Sequence, residues 1–126
     1  MMNKVKMGCL GLCSIAVVLM VGCSSLKTPA TAEVAVSKAA IANATDTGAG
    51  ELAPLEMASA REKMMRANTA MAAKDYKLAI QLANQAQADA KLAQSKANST
   101  KAQVAADALQ DDIRVLREEL DRKNQP

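Results

Sequence analysis

Three cysteines carry the most reactive side chains of this sequence, and their surroundings decide which chemistry each thiol can support. A thiol can pack in a core, form a disulfide, bind a metal or accept a covalent group. Cys9 and Cys13 lie within residues 7–21, a mostly apolar stretch without charge that follows two early lysines. This stretch is shorter than the roughly 20 residues that span a bilayer, but it suits the hydrophobic part of an export signal.

Cys23 follows this stretch directly, in the order Met20, Val21, Gly22, Cys23. The order resembles the lipobox of bacterial lipoprotein precursors, with methionine at the position where leucine is usual. The small Gly22 gives a peptidase access to the backbone, and the thiol of Cys23 can accept diacylglycerol as a thioether. The resemblance therefore predicts a lipoprotein signal peptide at residues 1–22, cleavage between Gly22 and Cys23, and lipidation of Cys23.

Other roles for the cysteines have less support. The three thiols could all be buried in one apolar helix, since cysteine is often a core residue. A metal site lacks partners, because the chain has no histidine and cleavage would leave a single cysteine. We therefore expect no disulfide, no metal and no other cofactor in the mature chain.

Charge and composition argue against two further classes of function. Cleavage would remove Lys4 and Lys6 and lower the formal net charge from +3 to about +1, so a nucleic-acid partner loses its electrostatic basis. Tyr76 is the only aromatic residue, so the chain has no set of aromatic side chains on which nucleic-acid bases or sugars could stack. Neighbouring acids, such as Asp111 with Asp112, point in different directions on a helix and do not form a catalytic pair. We expect no catalytic residues and no enzymatic activity.

The region after Cys23 predicts a weakly structured connection. Residues 24–30 (SSLKTPA) are typical of a flexible tether. Residues 31–44 predict a marginal helix, because only Val34 and Ile41 form its apolar stripe. The segment TDTGAG at residues 45–50 should end it. We therefore treat residues 23–50 as lipidated N-terminus, tether and marginal helix, and residues 51–126 as the main domain.

That main domain predicts an all-α fold, an alanine-rich helical hairpin. A helix should run from Pro54 to about residue 73, and Asp75 is a suitable N-cap for a second helix. Alanines in the second helix would let the first approach closely, and we interpret the methionines facing them as core rather than as thioether metal ligands. The two predicted stripes recur at steps of three and four: Met57, Ala60, Met64, Ala67 and Met71, then Ala79, Ala83, Ala86, Ala90, Ala93 and Ala97.

A further apolar stripe follows on a displaced face of the second helix. Residues 96–102 (KANSTKA) separate it from the alanines, either as a stutter in one long coiled-coil-like helix or as a break between two helices. We favour one helix, since no proline or glycine lies between residues 76 and 124. Glu118 with Arg122 and Glu119 with Lys123 should pair on its solvated surface. The candidate partner surface, called here the C-terminal stripe, consists of Leu109, Ile113, Leu116 and Leu120.

Several short motifs together resemble a known family. They are ARE at residues 60–62, KDY at 74–76, LANQAQADAKLAQSKA at 82–97 and IRVLREEL at 113–120. They look like the domain of unknown function 4398 family of small bacterial envelope lipoproteins, in which a glycine is common where Lys74 stands. The resemblance implies a place in the cell envelope and brings no activity or catalytic residue.

These observations lead to a main functional hypothesis and two alternatives. The main one is a lipid-anchored helical adaptor or spacer that contacts a second copy or another envelope protein. Ser24 after the lipidated cysteine is not the aspartate of an inner-membrane retention signal, so we expect the outer membrane, facing the periplasm. The alternatives are a structural lipoprotein in noncovalent contact with peptidoglycan, and a peptide-binding module, since residues 71–86 resemble part of one tetratricopeptide repeat.

Overall fold

A computed structural model describes residues 26–125 of this 126-residue chain. These residues confirm an all-α fold with a long C-terminal helix. The predicted signal peptide, Gly22 and Cys23 lie outside the described residues. In chain order the helices are α1 (Lys27–Asp46), α2 (Ala49–Leu52), α3 (Pro54–Ala72) and α4 (Tyr76–Asn124).

Helices α3 and α4 form the predicted antiparallel hairpin. Methionines of α3 meet alanines of α4: Met57 lies in one buried cluster with Ala90 and Ala93, and Met64 in another with Ala83. The methyl side chains of the alanines let the flexible Met57 and Met64 fill the seam, which confirms both as core residues. The prediction is wrong for Met71, which is only half-buried, because Ala70 takes the buried position at the end of α3. The predicted alanines are all fully buried: Ala79, Ala83, Ala86, Ala90, Ala93 and Ala97.

The turn between α3 and α4 is closed by backbone and side-chain hydrogen bonds. The N–H of Asp75 donates to the carbonyl of Ala70 (2.9 Å) and that of Lys74 to Met71 (3.1 Å), which is a Schellman motif. The carboxylate of Asp75 then accepts from the N–H of Leu78 (3.1 Å), as predicted for the N-cap of α4. Lys74 adopts the left-handed conformation, with φ of 61°, that glycine adopts most easily.

A polar cluster on the side of the hairpin holds α3 to α4. The carboxylate of Asp89 accepts hydrogen bonds from the hydroxyl of Ser59 (2.7 Å) and the amine of Lys63 (2.5 Å). Burial of Asp89 raises the pKa of its carboxyl, but these two hydrogen bonds outweigh burial and hold the pKa below its usual value. The carboxylate is therefore charged at neutral pH and accepts from both donors.

Helix α1 is a third member of the bundle, which corrects the expectation of a loose connection. The hydroxyl of buried Ser37 donates to the carbonyl of Ala83 in α4 (2.6 Å), and Ala44 lies in the same cluster as Ala97. Residue numbers therefore rise together along α1 and α4, so these two helices run parallel. The predicted boundary between residues 50 and 51 does not divide this core.

The extent of α1 also differs from the prediction. Residues 27–30, assigned to the tether, form its first turn, and the helix continues two residues beyond the predicted end at residue 44. Its buried residues, Ala30, Ser37 and Ala44, recur every seven positions. Such small side chains give little hydrophobic signal in a sequence, yet they let α1 lie close to α4.

The predicted break after α1 is present but shorter than expected. Thr47 and Gly48 form the turn, where Gly48 adopts a left-handed φ of 75°. Residues 49 and 50 already belong to the four-residue α2. Pro54 is the first residue of α3, where a backbone N–H would have no hydrogen-bond partner within the helix, so proline is tolerated there. The connection thus reverses the chain, so that α3 runs back along α1.

Helix α4 continues without interruption through residues 96–102, which confirms one helix rather than two. At 49 residues it measures about 74 Å. Ala97 is its last buried residue. The three-helix bundle therefore ends near the middle of α4, and the rest of the helix extends beyond it.

The left-handed conformation of Lys74 predicts that Lys74→Gly stabilises the fold. A side chain with a Cβ costs roughly 1 kcal/mol in this conformation, and glycine removes most of that cost. The free energy of unfolding in urea, followed by circular dichroism, should rise by about 0.5–1 kcal/mol.

The matched control is Ala73→Gly, one residue earlier, where φ is −75°. Because this conformation suits any residue, glycine there should lower the free energy of unfolding by about 0.5–1 kcal/mol. Equal effects of the two substitutions would contradict the conformation assigned to this turn.

Candidate partner surface

The second half of α4 projects from the bundle as an isolated helix. Residues 98–125 are all exposed to solvent. At 1.5 Å per residue this segment is about 40 Å long. An isolated helix lacks the tertiary packing that stabilises most helices in proteins, so a partner that covers one face would stabilise it.

The C-terminal stripe lies on this projecting segment. Its side chains have exposed fractions of 61% for Leu109, 40% for Ile113, 60% for Leu116 and 59% for Leu120. Their spacing of four, three and four residues places them on one face, at positions a and d of a heptad repeat. The structure thus brings the four predicted residues together in one apolar surface that has no partner among residues 26–125.

The C-terminal stripe faces away from the bundle. At about 100° per residue, it lies about 140° around α4 from the alanines that face α1 and α3. Towards the bundle, positions a and d of the same heptads hold the polar, exposed Ser99 and Ser95, and then Leu92, which is 49% exposed. The four large apolar residues of the C-terminal stripe thus lie on the projecting segment, and the polar Ser95 and Ser99 separate them from Leu92.

Charged residues on the outer side of the projecting segment pair within the helix. The guanidinium of Arg114 lies 3.2 Å from Asp111 and 3.6 Å from Glu118. Neither predicted pair, Glu118 with Arg122 or Glu119 with Lys123, is among the ion pairs of residues 26–125, and Glu118 faces Arg114 one turn earlier instead. Each of these exposed pairs adds only a few tenths of a kcal/mol.

An open groove between α1 and α3 was not predicted from the sequence. Its volume is about 610 Å³, and its lining combines Ile41, Met64 and Met65 with Lys38 and Arg61. Met65 is 64% exposed and lies outside the predicted methionine stripe, which is the one sequence signal for this groove. The lining includes no acidic side chain, so it offers apolar contact and positive charge but no general acid or base pair.

Membrane-spanning helices and metal sites are both absent from the described part of the chain. Within residues 26–125, no helix combines the length and the apolar character that crossing a bilayer requires. The same residues contain no group of three or more side chains placed to hold a metal ion.

Comparison of this chain with known protein families gives one matching family model. A family model described as "Domain of unknown function (DUF4398)" matches residues 32–109, from the first turns of α1 to the first residue of the C-terminal stripe. No curated protein and no solved structure matches this chain. The matched region contains most of the bundle and the first part of the projecting segment.

Two leucines of the same helix test the division of α4 into packed and projecting halves. Leu82 is 5% exposed within the bundle, whereas Leu116 is 60% exposed. In dilute protein, Leu82→Ala should lower the free energy of unfolding by about 2–4 kcal/mol, and Leu116→Ala by less than about 0.5 kcal/mol. Urea unfolding measures both changes in the free energy of unfolding. A comparable loss for the two variants would show that Leu116 is buried by residues of its own chain.

Proposed function

We propose that this chain, which belongs to the DUF4398 family, is a lipid-anchored, non-enzymatic envelope protein that acts as a helical adaptor or spacer. The family description assigns no activity. Support for this function therefore comes from the residues of the chain itself, first from the anchor and then from the distance between anchor and partner surface.

The anchor is Cys23, whose thiol would carry diacylglycerol. The preceding apolar stretch and the Met20, Val21, Gly22, Cys23 sequence support cleavage and lipidation at this residue. Leu26, the first described residue, follows three positions later, a chain length of about 10 Å at most. An anchor at Cys23 would thus hold the start of α1 close to the lipid headgroups.

The observation that carries the proposal is that the start of α1, which follows the proposed anchor in sequence, and the C-terminal stripe lie at opposite ends of the described residues. Since α1 runs parallel to α4, with Ser37 beside Ala83, the start of α1 lies at the end of the bundle that also holds the turn at residues 73–75. From that end, the stripe lies about 50–65 Å along α4. A lipid at one end and an apolar contact surface at the other are what a spacer requires.

Several features of the chain support a role in contact rather than catalysis. The sequence has no histidine, and the proposed lipid would occupy the single cysteine left after cleavage. The lining of the groove between α1 and α3 includes Lys38 and Arg61 but no acidic side chain. By contrast, the C-terminal stripe offers four large apolar side chains to a partner.

Intact-mass spectrometry of the protein expressed in a Gram-negative bacterium tests the anchor. We expect a mass that lacks residues 1–22 and includes a diacylglycerol thioether, because Cys23 is the residue that both cleavage and acylation require. Cys23→Ser should abolish both changes. The matched control, Cys13→Ser, should leave them intact, since this residue would leave with the leader. A native protein that retains residues 1–22 without lipid would rule the proposal out.

A further inference from the structure

We infer that the C-terminal stripe packs against the same stripe of a second copy of this chain, in a parallel, in-register, two-stranded coiled coil over residues 102–123. The inference deepens the proposed function, since it names the partner and its orientation. Only one part of the inference rests on the proposed anchor, namely the argument that both copies are attached to the same membrane.

The apolar residues of the stripe favour two parallel strands. Assigning Leu109 and Leu116 to position d places Ile113 and Leu120 at position a. Ile113, a β-branched residue at a between the leucines at d, gives the combination that favours parallel dimers, whereas Leu120 at the next a position is not β-branched. Ala102 and Ala106 continue the same heptads towards the bundle, where small side chains bring the two helices close together.

The charged residues beside the stripe select the orientation. In this register, Asp112 and Glu119 occupy position g, and Arg117 occupies position e. A parallel dimer places each g residue next to the e residue five positions later on the other helix, so Asp112 pairs with Arg117 of the second copy, twice by symmetry. An antiparallel dimer would instead place Asp112 near Glu119 of the second copy, and two acids repel each other.

These three charged residues are available for such contacts. The ion pairs of residues 26–125 involve none of Asp112, Glu119 and Arg117. The pairs on the projecting segment use Asp111, Arg114 and Glu118, which lie at the outer positions of the heptad. Among residues 26–125, the charged residues at the edges of the stripe thus keep their charges free for a second copy.

The rest of the fold leaves room for a second copy. The C-terminal stripe lies about 140° around α4 from the face that packs on α1 and α3. Two copies joined through their stripes would therefore carry their bundles on opposite outer sides of the shared coiled coil. Ser99 and Ser95, which occupy the next a and d positions towards the bundle, are exposed and polar, and they would limit the contact to the projecting segments.

The proposed anchor agrees with the parallel orientation. In a parallel dimer both N-termini lie at one end, so both copies of Cys23 reach the same membrane surface. An antiparallel dimer would place them at opposite ends of the coiled coil. Four large apolar residues make a short seam, and confinement to one membrane raises the effective concentration at which two such seams meet.

Disulfide crosslinking of the full chain tests orientation and register. Ala106→Cys and Leu120→Cys place a thiol at each end of the seam, in a chain whose Cys9 and Cys13 are replaced by serine. Same-numbered a positions lie side by side in a parallel, in-register dimer. Mild oxidation in membranes should therefore join each variant to itself several-fold more than Glu118→Cys, a control at an outer position. Absence of crosslinks for both variants, or a 106–120 crosslink only when they are mixed, would overturn the inference.

A charge exchange provides a second test. In the Ala106→Cys chain, Arg117→Asp should reduce the crosslinked fraction several-fold, because it faces Asp112 of the second copy. Adding Asp112→Arg should restore it. If the second change brings no recovery, the proposed g-to-e contact is wrong.

The same crosslinks in a Cys23→Ser chain, concentrated in detergent, separate the dimer from the anchor. Crosslinks in detergent together with an unlipidated native mass would support the dimer and reject the proposed anchor. A lipidated native mass without crosslinks in either setting would support the anchor and reject the dimer.

Discussion

The contact between α3 and the alanines of α4 determines the shape of this protein. The alanines that line the seam of α4 between residues 79 and 97 are small enough for Met57 and Met64 to fill the space between the helices. The same half of α4 also receives α1, through Ser37. Because this packing ends at Ala97 while the helix continues to Asn124, residues 26–125 form a bundle at one end and an isolated helix at the other.

The direction of α1 determines how far the start of the bundle lies from the C-terminal stripe. A first helix antiparallel to α4 would have placed its start beside the projecting segment and the C-terminal stripe. The observed parallel arrangement places the start of α1 at the far end of the bundle. A lipid near the N-terminus and a partner on the stripe would therefore be separated by most of the length of α4, about 50–65 Å.

The sequence predicted those features that have strong local signals. The hairpin followed from apolar residues spaced by three and four, and the start of α4 from the capping residue Asp75. The packing of α1 was underestimated, because its buried residues are small and one of them, Ser37, is polar. Its hydrogen bond to Ala83 joins residues 46 positions apart, which no local pattern reveals. The groove beside Met65 likewise depends on how α1 and α3 sit together.

The distance between the two halves of α4 tests the central claim most directly. Spin labels at Gln81 and Glu118, both exposed, can be measured by pulsed electron paramagnetic resonance in protein diluted with an unlabelled excess. A continuous helix predicts about 55 Å between the two backbone positions, plus or minus the reach of the labels. A main distance below about 35 Å would show that the second half of α4 folds back on the first half. A continuous helix of about 37 residues is too long for its two ends to lie that close together.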